Sequence, residues 1–215
     1  MRLGIFDSGV GGDAVAESLR TAYPLADIIT VNDHEHIPYG DRTLEDISRL
    51  TDTAIQPLLA KHCDVIIIAC NSATAAAIET LRATYPEQLF IGLEPMIKPA
   101  AAMTKTGTIA ICATPATLGS SRYQQLKALF AEKITVLEPD CSMWAQMIED
   151  NEINEEHIED TVEDVCANGA DVIVLACTHY HWIREVITRA TLGRATIIDP
   201  SDAIASRVRE LLESR

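Results

Sequence analysis

The chain has 215 residues, 47% of them hydrophobic, and a formal charge of −15 at pH 7. That length suits one large α/β domain or two small ones, and with neither an apolar run near the roughly 20 residues that span a bilayer nor a charged-then-apolar leader after Met1, a cytoplasmic protein without membrane contact is expected. The negative surface repels phosphate backbones, which argues against direct nucleic-acid binding and obliges a site for an anionic substrate to rely on local donors.

The first predicted strand, residues 3–6, runs into Asp7-Ser8-Gly9-Val10-Gly11-Gly12. A Gly-rich turn from strand to helix lets backbone N–H groups approach a bound anion, and Asp7 and Ser8 stand at its lip. The pattern is neither GxGxxG nor a P-loop, so it does not point to a nucleotide. Asp7 falls beside Cys70 if the first and third strands are neighbours; the alternative is a cap for the next helix. After a strand at 28–31, Pro38-Tyr39-Gly40 marks a turn. Its hydroxyl and N–H groups suit a carboxylate ligand, or it is a turn and nothing more. A helix is predicted over 43–61, then a strand over 65–69 that ends in Cys70-Asn71-Ser72, then a helix over 73–83. Asn and Ser are good helix caps, and a thiol at a helix N-terminus feels the positive end of the dipole, which favours thiolate.

A strand at 89–92 stops at the X-Pro step Glu94-Pro95, a plausible domain boundary. A strand at 108–112, a helix over 115–130 and a strand at 134–137 follow. Met147-Ile148-Glu149-Asp150 turns from apolar to acidic; on its own Glu149 reads as a surface residue, and 149–163 as an exposed helix with its entry loop. The strand at 172–176 ends in Cys177-Thr178-His179, with a helix expected from about Tyr180. The His179 imidazole, two residues from Cys177, is placed to tune that thiol. A strand at 196–198 and a helix over 202–212 come last. Strict strand–helix alternation predicts an α/β fold with mainly parallel sheets of βαβ units. We expect two similar domains, residues 1–94 plus 195–215 and residues 95–194, with the site at their interface.

Two stretches are near copies. Asp64-Val65-Ile66-Ile67-Ile68-Ala69-Cys70-Asn71 is echoed about half a chain later by Asp171-Val172-Ile173-Val174-Leu175-Ala176-Cys177-Thr178. Continuous apolar runs are parallel strands buried on both faces, and functional groups collect at the carboxyl ends of such strands. Two matched thiols facing one pocket suit a reaction that takes a proton on one side and delivers one on the other. Cys63, Cys112, Cys141 and Cys166 read as small buried apolar side chains; no CxxC pair is present. His34 with His36, and His179 with His181, are candidate ligand pairs, but no metal site is expected.

In order along the chain, Phe6-Asp7-Ser8-Gly9-Val10-Gly11-Gly12, Pro38-Tyr39-Gly40, Ala69-Cys70-Asn71-Ser72-Ala73, Glu94-Pro95 and Cys177-Thr178-His179-Tyr180 resemble the cofactor-independent aspartate/glutamate racemase superfamily, glutamate racemases in particular. The resemblance implies two α/β domains around one site, no cofactor, and a homodimer. It implies that Cys70 and Cys177 are the catalytic acid/base pair that interconverts L- and D-glutamate, with Asp7 assisting Cys70, and His179 and Glu149 assisting Cys177. It places Asp7, Ser8, Pro38, Tyr39, Gly40, Asn71, Ser72, Thr114, Thr117, Thr178 and His179 around the substrate, and implies a supply of D-glutamate for peptidoglycan. The lysines Lys61, Lys98, Lys105, Lys127 and Lys133 lie in none of these motifs, and a pyridoxal route needs a lysine in the site. Three positions depart from the family pattern: Ser72 stands where threonine is usual, Asp13 where an apolar residue is usual, and His181 where a proline follows Cys-Thr-His-Tyr. The chain is also shorter than most members. Two other readings remain: the same chemistry on aspartate or another small amino acid, and a catalytically weak homologue that binds another protein, to which Asp13 and His181 lend support.

Overall fold

The computed structural model describes residues 1–213; Ser214 and Arg215, included in the first expected domain, lie outside the described residues. Eight strands are described: β1 (Arg2–Asp7), β2 (Asp27–Asn32), β3 (Val65–Ile68), β4 (Leu89–Gly92), β5 (Thr108–Cys112), β6 (Thr135–Leu137), β7 (Val172–Leu175) and β8 (Thr196–Ile198). They form two four-stranded parallel sheets, ordered β2-β1-β3-β4 and β6-β5-β7-β8. The same topology is laid down twice, and the repeated apolar runs β3 and β7 occupy the equivalent inner place in each sheet. Every residue of both strands is buried, as continuous β-branched runs require when helices cover both faces. The core divides accordingly into apolar clusters on either side of each sheet.

The helices are α1 (Gly12–Ala22), α2 (Leu44–Ala54), α3 (Gln56–Ala60), α4 (Asn71–Thr84), α5 (Ile97–Met103), α6 (Pro115–Leu118), α7 (Ser121–Phe130), α8 (Trp144–Glu149), α9 (Glu155–Ala167), α10 (Arg184–Ala190) and α11 (Ser201–Glu213). Two helices expected as single elements are each split. The 43–61 helix breaks at Ile55, where Pro57 opens α3, because Pro suits only a first helical turn. The 115–130 helix breaks at Gly119-Ser120, and the Ser120 hydroxyl restarts it by accepting the Tyr123 N–H at 3.1 Å. The acidic stretch divides as well. Glu149 ends α8, and α9 begins after Asn154, whose side chain accepts the His157 N–H at 3.1 Å. Helix α9 buries Ile158, Val162, Val165 and Cys166 and turns its acids outward.

Residues 195–198, grouped above with the first half, stay with the second: β8 pairs with β7. Only α11 crosses back. Its Ile204 and Val208 pack with Leu3, Ile5, Val15 and Leu19 against the first sheet, and Tyr23 Oη on α1 donates to the Ala205 carbonyl at 2.7 Å. Three residues give β8 enough ladder to register on β7, while the apolar stripe of α11 is buried against α1 and the first sheet. Among the described residues no helix is long and apolar enough to cross a membrane.

Candidate active site

The β1–β3 pairing puts Phe6 opposite Ile68, so the turns after these two strands emerge side by side. Cys70 caps α4, and its Sγ accepts the Ala73 N–H at 3.4 Å. Ser8 Oγ donates to the same sulfur at 3.3 Å. Asp7 is fully buried, and its carboxylate does not bond Cys70. It accepts the Gly9 N–H at 2.9 Å and, from the other half of the molecule, the Thr178 hydroxyl at 2.9 Å. Asp7 therefore acts on Cys70 through its field, while Ser8 makes the contact.

In the second half, Cys177 follows β7, but the helix expected at Tyr180 does not begin there. A 3-10 segment, Thr178–Ile183, intervenes, and α10 starts at Arg184. No α-helix therefore opens at Cys177 as α4 does at Cys70. The group beside this sulfur is His179, whose Nδ1 lies 3.6 Å away. His179 Nε2 meets Glu149 Oε1 at 2.5 Å, and the same oxygen accepts the Val10 N–H from the first half at 3.0 Å. The side chains of His179 and Glu149 are 6% and 8% exposed, so Glu149 is no surface residue. Gly9 leaves the room this crossing needs, since a Cβ there would run into the Glu149 carboxylate and lie 2.7 Å from His179 Nε2.

Both cysteines line one cavity between the halves. Ser8, the Pro38–Gly40 segment, Asn71, Ser72, Thr114, Glu149 and His179 complete its walls, together with Ile37 and Ala145, which the sequence did not single out. About 20 Å³ of it is open to the centre of a water-sized sphere, room for about one water molecule. The halves also touch through hydroxyls: Ser72 Oγ lies 2.9 Å from Thr114 Oγ1 and 3.4 Å from Thr117 Oγ1. Asn71 is 3% exposed, and neither its Oδ1 nor its Nδ2 finds a partner among the described residues. A buried amide with both ends unpaired is costly.

A model of the family described as Asp/Glu/Hydantoin racemase matches residues 13–208. The chain belongs to that racemase family. A glutamate racemase of Sulfurovum sp. (strain NBC37-1) is 40% identical over 222 residues, spanning 100% of this chain and 84% of that protein. Among solved structures, the glutamate racemase of Bacillus anthracis superposes with a TM-score of 0.85 at 26% identity, covering 99% of this chain and 81% of that one. The glutamate racemase of Francisella tularensis in complex with D-glutamate gives 0.83 at 27% identity, with 99% and 81% covered.

The electrostatics of this racemase differ between its two thiols. Burial, then the Asp7 carboxylate, push the Cys70 thiol up to about 12, outweighing the Ser8 and Ala73 donors. The helix N-terminus thus does not deliver the thiolate that the sequence suggested. At His179 burial pulls the other way, but its bonds to Cys177 and Glu149 prevail and hold the imidazole up at about 11, so it is a cation at neutral pH. Glu149 is held below its ordinary value, chiefly by the His179 bond. Burial raises Asp7, against the opposing field of His179.

Two departures from the family pattern sit away from the cavity. His181 is turned from Cys177, with its Nδ1 3.5 Å from Asp199; Asp13 is exposed on α1, where it lines a surface groove together with His181 and Trp182. The candidate metal pairs are also apart in function: His36 bonds Asp33 at 2.8 Å, His179 bonds Glu149, and among the described residues no group of three or more His, Cys, Asp or Glu side chains is arranged to hold a metal ion. Asp33, absent from the sequence reading, bonds the Tyr39 hydroxyl at 2.7 Å. Its only signal was its place one residue beyond β2.

Proposed function

We propose that this chain interconverts L- and D-glutamate by a two-base, cofactor-independent racemisation, with Cys70 and Cys177 as the catalytic pair. The observation that carries the reading is the placement of these two thiols, at equivalent strand ends of two like-folded halves, in the wall of one closed cavity. In one direction a thiolate takes the Cα proton and the opposite thiol gives its proton to the other face of the planar carbanion. The second cysteine ends as thiolate, and the reverse direction exchanges the roles. The His179 imidazolium balances negative charge on Cys177, held in orientation by Glu149. Cys70 holds its proton firmly, which suits the donor role. The Asn71 amide and the N–H groups opening α4 are suited to the α-carboxylate, whose charge grows as the proton leaves. The hydroxyls of Ser72, Thr114 and Thr117 and the backbone of the Pro38–Gly40 segment complete the substrate contacts.

The cavity does not admit glutamate as it stands, so substrate entry parts the halves, and reclosure excludes water from the carbanion. Glutamate is favoured over aspartate because the relatives at 40% and 38% identity are glutamate racemases. The protein-binding alternative rested on Asp13 and His181, and neither lines the cavity. A cytoplasmic homodimer that supplies D-glutamate for peptidoglycan completes the reading.

The test is circular dichroism of L- and D-glutamate, combined with deuterium uptake at Cα in D₂O. Cys70→Ala and Cys177→Ala are each expected to abolish interconversion. Racemisation that survives removal of both thiols would overturn the proposal, and faster turnover of L-aspartate than of L-glutamate would reassign the substrate.

A further inference from the structure

The Pro38–Gly40 wall of the cavity hangs over Cys70 on a loop, and its orientation depends on one carboxylate outside the cavity. Asp33 lies just past the end of β2, its N–H bonded to the Asp7 carbonyl at 3.1 Å. It is thereby tied to the same strand end that carries Asp7 and Ser8. Its side chain, 13% exposed, turns into the loop. One oxygen accepts the Tyr39 hydroxyl at 2.7 Å, and the two oxygens lie 2.8 and 3.0 Å from His36 Nδ1. The His36 carbonyl in turn accepts Arg42 Nε at 2.8 Å. Tyr39 is 2% exposed, with its ring tilted against Phe6 at 6.2 Å. Its hydroxyl proton is committed to Asp33 and is not offered to a ligand. At Gly40 the approach is close: a Cβ would lie 2.9 Å from the Thr114 side chain. A shift of the loop by a few tenths of an ångström would therefore reach the opposite half.

We propose that Asp33 is a positioning residue for the racemase reaction. Through Tyr39 and His36 it holds the Tyr39-Gly40 backbone where the substrate carboxylate and the Thr114 wall require it. The inference rests on the glutamate reading for its kinetic consequence, but not for its structural one.

The experiment uses the full chain with Asp33→Ala, Asp33→Asn and Tyr39→Phe. Amide hydrogen exchange is measured over residues 37–41, and kcat and KM are measured for both glutamate enantiomers. Loss of a charge-assisted hydrogen bond weakens what it orders by tenfold or more. Asp33→Ala and Tyr39→Phe are each expected to speed exchange of these amides by about tenfold. KM should rise by a similar factor, with kcat within about threefold of the unaltered chain. Asp33→Asn keeps an acceptor for the Tyr39 hydroxyl and should recover most of the loss in both readouts. If Asp33→Ala does not fold, the Tyr39→Phe and Asp33→Asn pair carries the same contrast. Unchanged exchange in Tyr39→Phe overturns the proposal, as does a kcat loss with KM unaltered. An unaltered chain that does not turn over glutamate would refute the substrate reading alone, since the exchange contrast needs no substrate.

Discussion

Replacing Glu149 with Gln tests how the second thiol is tuned. The substitution is isosteric. A glutamine Oε1 still accepts the Val10 N–H, so the link between the halves survives, while the negative charge facing His179 Nε2 is lost. With side chains 8% and 6% exposed, water screens the pair little. A hydrogen bond between charged partners in such a place is worth about 1.5–3 kcal/mol, and each 1.4 kcal/mol is about tenfold in rate. We therefore expect kcat/KM for glutamate to fall by roughly ten- to a hundredfold, chiefly in kcat. The pH profile carries the sharper test. His179 is raised to about 11 from its ordinary 6.5. Its charged form thus contributes fully below about 6.5, and the contribution is lost as pH climbs through about 11. Glu149 is lowered, so its contribution is present above its ordinary 4.5 and lost as pH falls through the depressed value. Removing the Glu149 charge takes away one support of the imidazolium, and the alkaline limb of kcat/KM should move to lower pH. Initial rates by circular dichroism across pH 6–12, with both enantiomers, measure it. A rate within threefold of the unaltered chain and an unmoved alkaline limb would refute the assignment of His179 as the cation beside Cys177.

Gly9→Ala should fold but lose activity, because its Cβ meets the Glu149 carboxylate and His179 Nε2. Overpacking of this kind costs about 1–3 kcal/mol, and kinetics alongside thermal unfolding will show whether the loss falls on rate more than on Tm. Asp7→Asn should do the reverse for stability. Burial raises the Asp7 carboxyl, so the stability linked to its neutral form is present at acid pH and declines as pH rises through the raised value. The amide removes that decline, so Tm at pH 8 should rise above that of the unaltered chain, while racemisation falls. An unchanged Tm with a parallel pH dependence in both proteins would show that Asp7 carries no such penalty.

The strands were legible because continuous β-branched runs have few uses other than a doubly covered parallel strand, and β3 and β7 lie where those runs lie. Helix ends were less so. Ile55 and Gly119-Ser120 interrupt what periodicity alone would continue, because a proline or a serine cap one turn ahead outweighs an apolar stripe. The paired cysteines could be read as strand-end chemistry from the repeat and the Asp7-Ser8 lip from its Gly-rich turn, whereas the cap of α4 proved to be Cys70 and not the Asn71 or Ser72 that propensity favours. Asp33 and the Val10 N–H could not be read from any such feature, since a carboxylate just past a strand and one amide among many have no pattern of their own.

The order of residues determined two copies of one α/β unit and put a thiol at the same place in each, because local apolar runs and turns depend on neighbours a few positions away. Which groups those thiols meet depended on contacts between residues far apart in the chain. Asp7 crosses to Thr178, Glu149 crosses to Val10, and His181, a residue away from Tyr180, faces Asp199 instead of the cavity. Only the packing of one half on the other decided that Cys70 is buried beside a carboxylate while Cys177 stands beside an imidazolium. Desolvation and Coulomb fields follow distance through space, and sequence spacing does not encode it.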